Sequence, residues 1–186
     1  MPITTLDPAT ALIVVDLQKG TTAAQMTPPV DGVIGNAARL ADAFRQRGLP
    51  VVLARFDPAQ APIGRVERGG RLPEIPAEFT ESLPELPPAS GDLVVTRGSW
   101  SAFAGTDVHD RLAAKGITQV VLTGVATSFG VESTARAAYD LGYNVVIATD
   151  AVADRIPDSH HRAIDGVFRI LGETGTTDDI LALLAG

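Results

Sequence analysis

Short runs of apolar residues recur along the chain and alternate with longer amphipathic stretches. The runs are rich in β-branched residues and lack in-and-out alternation, at residues 11–16, 50–55, 92–96, 119–124 and 144–150. Runs of this kind predict strands buried on both faces, as in a parallel sheet. The stretches with helical spacing lie at residues 33–48, 107–115, 128–141, 159–171 and 177–185. Alternation of strand and helix predicts right-handed crossovers and a three-layer α/β fold.

Three glycines mark the ends of predicted helices just before the next strand. Gly48, Gly116 and Gly142 occupy these positions. Glycine adopts the left-handed conformation that closes a helix without a Cβ clash, so each is expected to have a positive φ.

The connection from Arg55 to Gly91 breaks the alternation. It holds seven of the thirteen prolines and shows no helical period. A loop of this length is expected to be either a lid over a binding site or a segment that pads the surface or an oligomer interface. Its arginines that could meet an anionic ligand are Arg65, Arg68 and Arg71.

Composition narrows the class of protein. With 186 residues and 45% hydrophobic content, the chain is expected to form one domain over residues 1–186. The net charge of −7 argues against nucleic-acid binding, which needs clustered cations. No apolar run approaches the ~20 residues of a membrane span and no basic leader precedes the first run, so we expect no membrane contact and a cytoplasmic location. There is no cysteine, which excludes disulfides and thiolate metal sites.

Candidate chemistry gathers at the carboxyl ends of the predicted strands, where parallel sheets bind ligands. These ends carry Asp16 and Gln18, residues 97–103, residues 125–130 and residues 150–154. Asp16 follows five apolar residues, so its carboxylate is expected to be partly desolvated; it either acts chemically, or it caps a loop or pairs with an arginine. For Asp150 and Asp154, helix capping is the favoured interpretation.

Residues 124–138 run from a strand end through a tight turn into a helix. Amides in the first turn of a helix can hold an anion, and Thr127 or Ser128 could supply the cap. An ordinary capped helix is the alternative. The histidines His109, His160 and His161 are interpreted as solvated surface residues, because none forms an i, i+4 pair, and no metal site is expected.

The ordered segments ALIVVDLQKG, LADAFRQRGLPVVLAR, VVTRGSWSAFAGTD and VVLTGVATSFGVESTARAAYDLGYNVVIATDAVAD resemble the isochorismatase-like hydrolases. That family includes isochorismatases, nicotinamidases and related amidases. The resemblance covers residues 11 to about 184 and implies a Rossmann-like fold with a six-stranded parallel sheet flanked by helices. It also implies a small-molecule substrate and a homo-oligomer, a dimer or larger.

The resemblance implies three catalytic positions. Many members use an aspartate, a lysine and a cysteine, which correspond to Asp16, Arg97 and Gly130, with a cis peptide between Val125 and Ala126. Two of the three residues therefore depart from the family pattern. Gly130 has no nucleophile, so the thioester route is excluded. The expected substrate-binding residues are Gln18, Trp100, Val125, Ala126, Thr127 and Phe129.

Isochorismatases also carry glycine at the cysteine position, which implies cleavage of a vinyl ether or another anionic substrate with Asp16 as acid or base. Arg97 either clamps a substrate carboxylate or pairs with Asp16 and lowers its pKa. A catalytically degenerate member that serves as a binding or structural protein remains the alternative. The nicotinamidase metal site is not expected, because RFDPAQAP stands after the second strand, and no cofactor is expected.

Overall fold

A computed structural model describes residues 2–62, 64–65 and 75–186. Within them, six strands form one sheet in which every pairing is parallel, with the order β3-β2-β1-β4-β5-β6. The strands are β1 (Thr10–Val15), β2 (Val51–Phe56), β3 (Leu93–Arg97), β4 (Gln119–Val125), β5 (Asn144–Ala153) and β6 (Glu173–Gly175). The predicted α/β fold with a six-stranded parallel sheet is confirmed. The strand order reverses direction between β1 and β4, which makes their carboxyl ends the expected ligand position.

Helices cover both faces of this sheet. They are α1 (Lys19–Thr22), α2 (Val30–Gln46), α3 (Val108–Ala114), α4 (Glu132–Asp140), α5 (Pro157–Arg162), α6 (Phe168–Leu171) and α7 (Thr177–Ala185). One face packs α3, α4 and α6 through Val108, Ala135 and Phe168. The other packs α2 and α7 through Leu40 and Ile180. Successive residues of β1 enter the two cores alternately, which explains why the apolar runs show no alternation.

Most differences from the predicted elements lie at their boundaries. Gly48, Gly116 and Gly142 have φ of 68°, 67° and 87°, as expected for helix ends. The predicted helix over 128–141 begins as a π turn, Thr127–Val131, and the one over 159–171 is interrupted by a second, Ala163–Val167. The short strand β6 was not indicated by the hydrophobic pattern, because Glu173–Gly175 contains no apolar run.

The described ends of the proline-rich connection pack against the body of the protein. Short 3-10 turns lie at Pro58–Gln60 and Ala77–Thr80, and Leu83 and Leu86 enter the core on the α2 side. Arg65 is exposed, whereas Arg68 and Arg71 lie outside the described residues. In the part of the chain that is described, no helix is both long enough and apolar enough to cross a membrane.

Candidate functional site

Asp16 stands where β1 ends, at the reversal point of the sheet. Its backbone has a φ of 54°, in the left-handed region that side chains other than glycine rarely adopt. Its N–H donates to Ala54 O at 2.8 Å, and its carbonyl accepts from the amide of Gln18 at 3.0 Å. Strained backbone of this kind clusters at functional positions. The local fold therefore turns Asp16 out of the strand direction while keeping its side chain only 10% exposed.

Arg97, the last residue of β3, crosses the end of β2 to reach this carboxylate. Its Nη1 donates to Asp16 Oδ1 at 2.8 Å and its Nη2 to Oδ2 at 3.2 Å. Nε donates to Ser101 O at 2.9 Å, and Nη2 also donates to Trp100 O at 3.0 Å. The side chain of Arg97 is 2% exposed. This bidentate geometry fixes both partners. The planar guanidinium group of Arg97 matches the carboxylate of Asp16, and the carbonyls of Ser101 and Trp100 hold the guanidinium group in place.

Burial and the arginine act on Asp16 in opposite directions. Desolvation raises the pKa of Asp16 to about 6, and the charge and hydrogen bonds of Arg97 offset only part of that rise. Arg97 therefore pairs with Asp16 and acts to lower its pKa, as one of the two alternatives expected, but the opposite effect of burial is larger. A carboxyl group with a pKa near 6 exchanges a proton readily around neutral pH, as acid–base chemistry requires.

Gly130 faces the same carboxylate from the end of β4. A Cβ at this position would lie 3.0 Å from Asp16 Oδ2, 2.9 Å from Val15 Cγ1 and 3.0 Å from Val125 O. Any side chain at 130 would therefore press directly on Asp16. The structure brings together all three positions that the resemblance implies, Asp16, Arg97 and Gly130.

The π turn Thr127–Val131 follows a cis peptide bond between Val125 and Ala126. Ala126 O accepts from the amides of Phe129 at 3.1 Å and Val131 at 3.2 Å. Thr127 and Ser128 do not cap the turn with their own side chains. Instead the turn is held by Asp154, which directly follows β5, and by His160 of α5.

Two buried polar side chains provide that hold. Asp154 Oδ2 accepts from Ser128 N at 2.7 Å and from Ser128 Oγ at 2.8 Å. His160 Nδ1 lies 2.9 Å from Thr127 Oγ1. His160 is 7% exposed, so its interpretation as a solvated residue is wrong. Burial, with the neighbouring charge of His161, lowers the pKa of His160 below its usual range, against the opposite effect of nearby acidic groups.

His109 and Asp150 also differ from expectation. His109 is half-buried, with Nδ1 2.9 Å from the hydroxyl of Tyr143, whereas His161 is exposed as predicted. Asp150 lies within β5 because that strand continues to Ala153, and its Oδ1 caps the start of α7 by accepting from Thr177 N at 2.7 Å. Asp150 therefore does cap a helix, but that helix is α7 and not the next helix along the chain, as the sequence suggested.

Thr134 joins the two halves of the site. Its hydroxyl accepts from Ala102 N at 3.0 Å and donates to Gly130 O at 2.7 Å, and the residue has no exposed surface. It therefore couples the loop after Arg97 to the π turn. Thr134 lies on α4, where its position in the sequence resembles any helical threonine, so sequence reasoning missed it.

Gln18 has a different environment from the one expected. Its Nε2 donates to Phe56 O at 2.7 Å and to Phe79 O at 3.1 Å, while its Oε1 accepts from Phe56 N at 2.8 Å. The side chain is fully buried. Gln18 therefore ties the end of β2 and the Ala77–Thr80 turn to β1.

An aromatic cluster lies beside the Asp16–Arg97 pair. Trp100 is 54% exposed and Phe129 is 44% exposed, with ring centroids 5.2 Å apart. Phe56 stacks on Trp100 with nearly parallel planes. Trp100 and Phe129 were expected at the site, whereas Phe56 was not singled out. Among the described residues, no group of three acidic, histidine or cysteine side chains is arranged to hold a metal ion.

This arrangement defines an α/β protein with a candidate site at the switch point of a parallel sheet. Residues 10–179 match the isochorismatase domain family, and the chain belongs to that family. The uncharacterized isochorismatase family protein YwoC of Bacillus subtilis is 38% identical over 180 residues, covering 92% of each chain. An isochorismatase family protein from Burkholderia thailandensis superimposes with a TM-score of 0.93 at 39% identity, covering 98% of each chain. The ureidoacrylate amidohydrolase RutB of Methylobacterium radiotolerans is 33% identical over 85% of this chain and 72% of its own. At the family level the protein is a hydrolase.

Proposed function

We propose that this chain hydrolyses a small anionic substrate without a covalent enzyme intermediate, with Asp16 transferring the proton. The observation that carries the proposal is the buried carboxyl group of Asp16, whose pKa is raised to about 6. Both of its protonation states are populated at moderate pH, which suits a general acid that must be reset in each turnover. The absence of cysteine leaves no thiol for the thioester route.

The favoured reaction is hydrolysis of an enolpyruvyl (vinyl) ether. Protonated Asp16 donates its proton to the terminal enol carbon, which leaves an oxocarbenium centre at the carbon bearing the ether oxygen. Water adds to that centre, and the Asp16 carboxylate accepts the proton that the water releases. The resulting hemiketal collapses to the alcohol and pyruvate, so one proton is given and one is recovered.

Arg97 serves this chemistry by holding Asp16. Both of its Nη atoms already donate to the carboxylate, so clamping of a substrate carboxylate by Arg97 is not part of the proposal. Recognition of the anionic group is assigned instead to the backbone of the turn at Ala126, Thr127 and Gly130. The amides of Ser128, Phe129 and Val131 are not assigned this role, because they are bonded within the protein.

The aromatic cluster supplies the apolar wall of the site. Trp100 and Phe129 expose large ring areas beside Arg97 and Gly130, as an unsaturated small molecule requires. Gln18 is not assigned a substrate contact, because its amide is engaged by three backbone bonds. We also propose assembly as a dimer or larger oligomer, which light scattering on the purified protein measures.

The four hydrogen bonds that Arg97 donates, two to Asp16 and one each to the carbonyls of Ser101 and Trp100, favour a second candidate function. A bidentate pair that is also tied to two carbonyls can serve as a structural element at a site that has lost its chemistry. In that case the protein is a binding or structural member of the family. The two candidates differ in whether turnover exists and whether it depends on Asp16.

A turnover screen separates them. The substrates are isochorismate, chorismate, small amides and, because of the amidohydrolase relative, ureidoacrylate; pyruvate release is followed by coupling to lactate dehydrogenase. Asp16→Asn is expected to lower kcat by about 10²- to 10⁴-fold. The matched control is Asp92→Asn, which breaks another aspartate–arginine pair, the partly buried Arg45–Asp92, at the opposite end of β3. Turnover that persists in Asp16→Asn, or no turnover by the folded wild type, would favour the second candidate.

A further inference from the structure

We propose that Asp154 and His160 are positioning residues of the site. They hold the π turn opposite Asp16 in its working geometry and do not themselves touch substrate. The proposal rests on the proposed function for its kinetic readout. Neither residue was singled out by the family resemblance; Asp154 lies in the link between β5 and α5, and His160 lies in α5.

Asp154 fixes Ser128 through both of its donors. The Oδ2 atom accepts from the amide and the hydroxyl of Ser128, and Oδ1 accepts from Ile156 N at 3.0 Å. The residue is 1% exposed. A buried carboxylate with three donors around it has little freedom to move, because loss of any bond leaves a charged acceptor desolvated.

His160 fixes the preceding residue in the same way. Thr127 has no exposed surface, and its hydroxyl lies 2.9 Å from Nδ1 of His160. A nucleophilic role for Thr127 is disfavoured by this burial, although hydroxyl and imidazole are within hydrogen-bond distance. Holding the turn is the role that fits a fully enclosed pair.

These bonds act on the consecutive residues Thr127 and Ser128, which precede Gly130 by three and two positions. The position of Gly130 matters because a Cβ there would already be 3.0 Å from Asp16 Oδ2. Directional polar bonds specify a turn more narrowly than apolar packing does, and misplacement of a site by about 1 Å costs on the order of 10²-fold in rate. The segment from Asp154 to His160 therefore sets the distance between the turn and the proton donor.

The test compares isosteric removals of single hydroxyls with a matched control. Thr127→Val and Ser128→Ala are each expected to lower kcat about tenfold and to leave KM within about twofold. The reason is that a displaced turn weakens interactions with the transition state more than interactions with the bound substrate. The control is Tyr143→Phe, which removes the hydroxyl of the other hydroxyl–histidine pair, at the opposite end of the sheet. Its kcat is expected to match the wild type.

Rescue by a conservative variant distinguishes positioning from general stability. An asparagine places a polar atom at the same point along the side chain as Nδ1 of histidine, so His160→Asn keeps the bond to Thr127 and His160→Leu removes it. We expect His160→Asn to retain kcat within about threefold and His160→Leu to lose at least tenfold. Equal losses in the two variants, or full activity of Thr127→Val, would overturn the proposal.

A readout without turnover covers the case in which the proposed function fails. If the wild type cleaves none of the substrates, hydrogen exchange of the amides at residues 126–131 decides the matter. Exchange that rises at least tenfold in His160→Leu, while His160→Asn and Tyr143→Phe match the wild type, supports the positioning role. Unchanged exchange in His160→Leu overturns it.

Discussion

The pKa of Asp16 makes a quantitative prediction about folding. In the native protein burial raises this pKa to about 6 from the ordinary 3.8. The native state then binds a proton more tightly than the unfolded chain does. The stabilisation is fully present below pH 3.8 and is lost as the pH rises through 6. About two pKa units correspond to roughly 3 kcal/mol in total.

The difference between the wild type and Asp16→Asn isolates this contribution. Both proteins carry every other titrating group, including His160, so subtraction of their unfolding free energies removes those groups from the comparison. We expect the difference to fall by about 2 kcal/mol between pH 4.5 and pH 7.5, which is the part of the linkage inside that window. Urea denaturation at a series of pH values measures it, and an NMR titration of the Asp16 carboxyl carbon gives the pKa directly.

A specific result would refute this reasoning. If the difference is flat or rises with pH, the attraction of Arg97 outweighs burial and Asp16 stays ionised throughout the range. The bidentate bonds of 2.8 and 3.2 Å would then dominate the electrostatics of the site. Asp16 would in that case lack the proton that the proposed general acid must donate.

Three further perturbations test other parts of the site. Thr134→Val removes the hydroxyl that bonds the buried amide of Ala102 and the carbonyl of Gly130, so we expect about 2 to 3 kcal/mol of destabilisation in urea; an unchanged midpoint contradicts this. Gly130→Ala forces a Cβ against Asp16 and Val125, so about 1 to 3 kcal/mol of stability and most turnover should be lost, and a variant as stable as the wild type would show that the turn yields freely. Burial lowers the pKa of His160 below its ordinary 6.5, so the neutral imidazole contributes stability that is present above pH 6.5 and is lost as the pH falls below that value and through the lowered pKa; His160→Asn should remove that component of the pH profile.

The fold was predictable because strands that are buried on both faces appear in the sequence as continuous apolar runs. A strand such as β1 contributes alternate side chains to two cores, so every one of its positions must be apolar. The helix-ending glycines Gly48 and Gly116 were equally predictable from the sequence, since their positive φ excludes most other residues. The strand β6 was not, because its three residues pair through their backbone and carry no apolar run.

The site was predictable only at its strand ends. Asp16 and Arg97 follow apolar runs, and the strand-end rule selects such positions from sequence alone. Asp154 and His160 act on the turn from a loop and a helix and bond residues 26 and 33 positions away, and Thr134 joins Gly130 of the turn to Ala102, which lies 32 positions before Thr134. No local pattern reports contacts at that separation. A buried histidine also resembles a surface one when the helix that carries it is short.

The two departures from the family pattern, Arg97 and Gly130, both lie next to one atom, Oδ2 of Asp16. Arg97 Nη2 donates to Asp16 Oδ2 at 3.2 Å, and the same Oδ2 would lie 3.0 Å from a Cβ at position 130. The resemblance implies lysine and cysteine at these positions, and a side chain at 130 would crowd the oxygen that the arginine fork now holds. Each carboxylate oxygen accepts from more than one direction, so absence of a side chain at 130 leaves Oδ2 accessible from the turn while Arg97 binds it from the other side. The glycine and the arginine are therefore compatible as a pair, and restoring a larger side chain at 130 should be tolerated better when Arg97 is replaced by lysine than when the fork is intact.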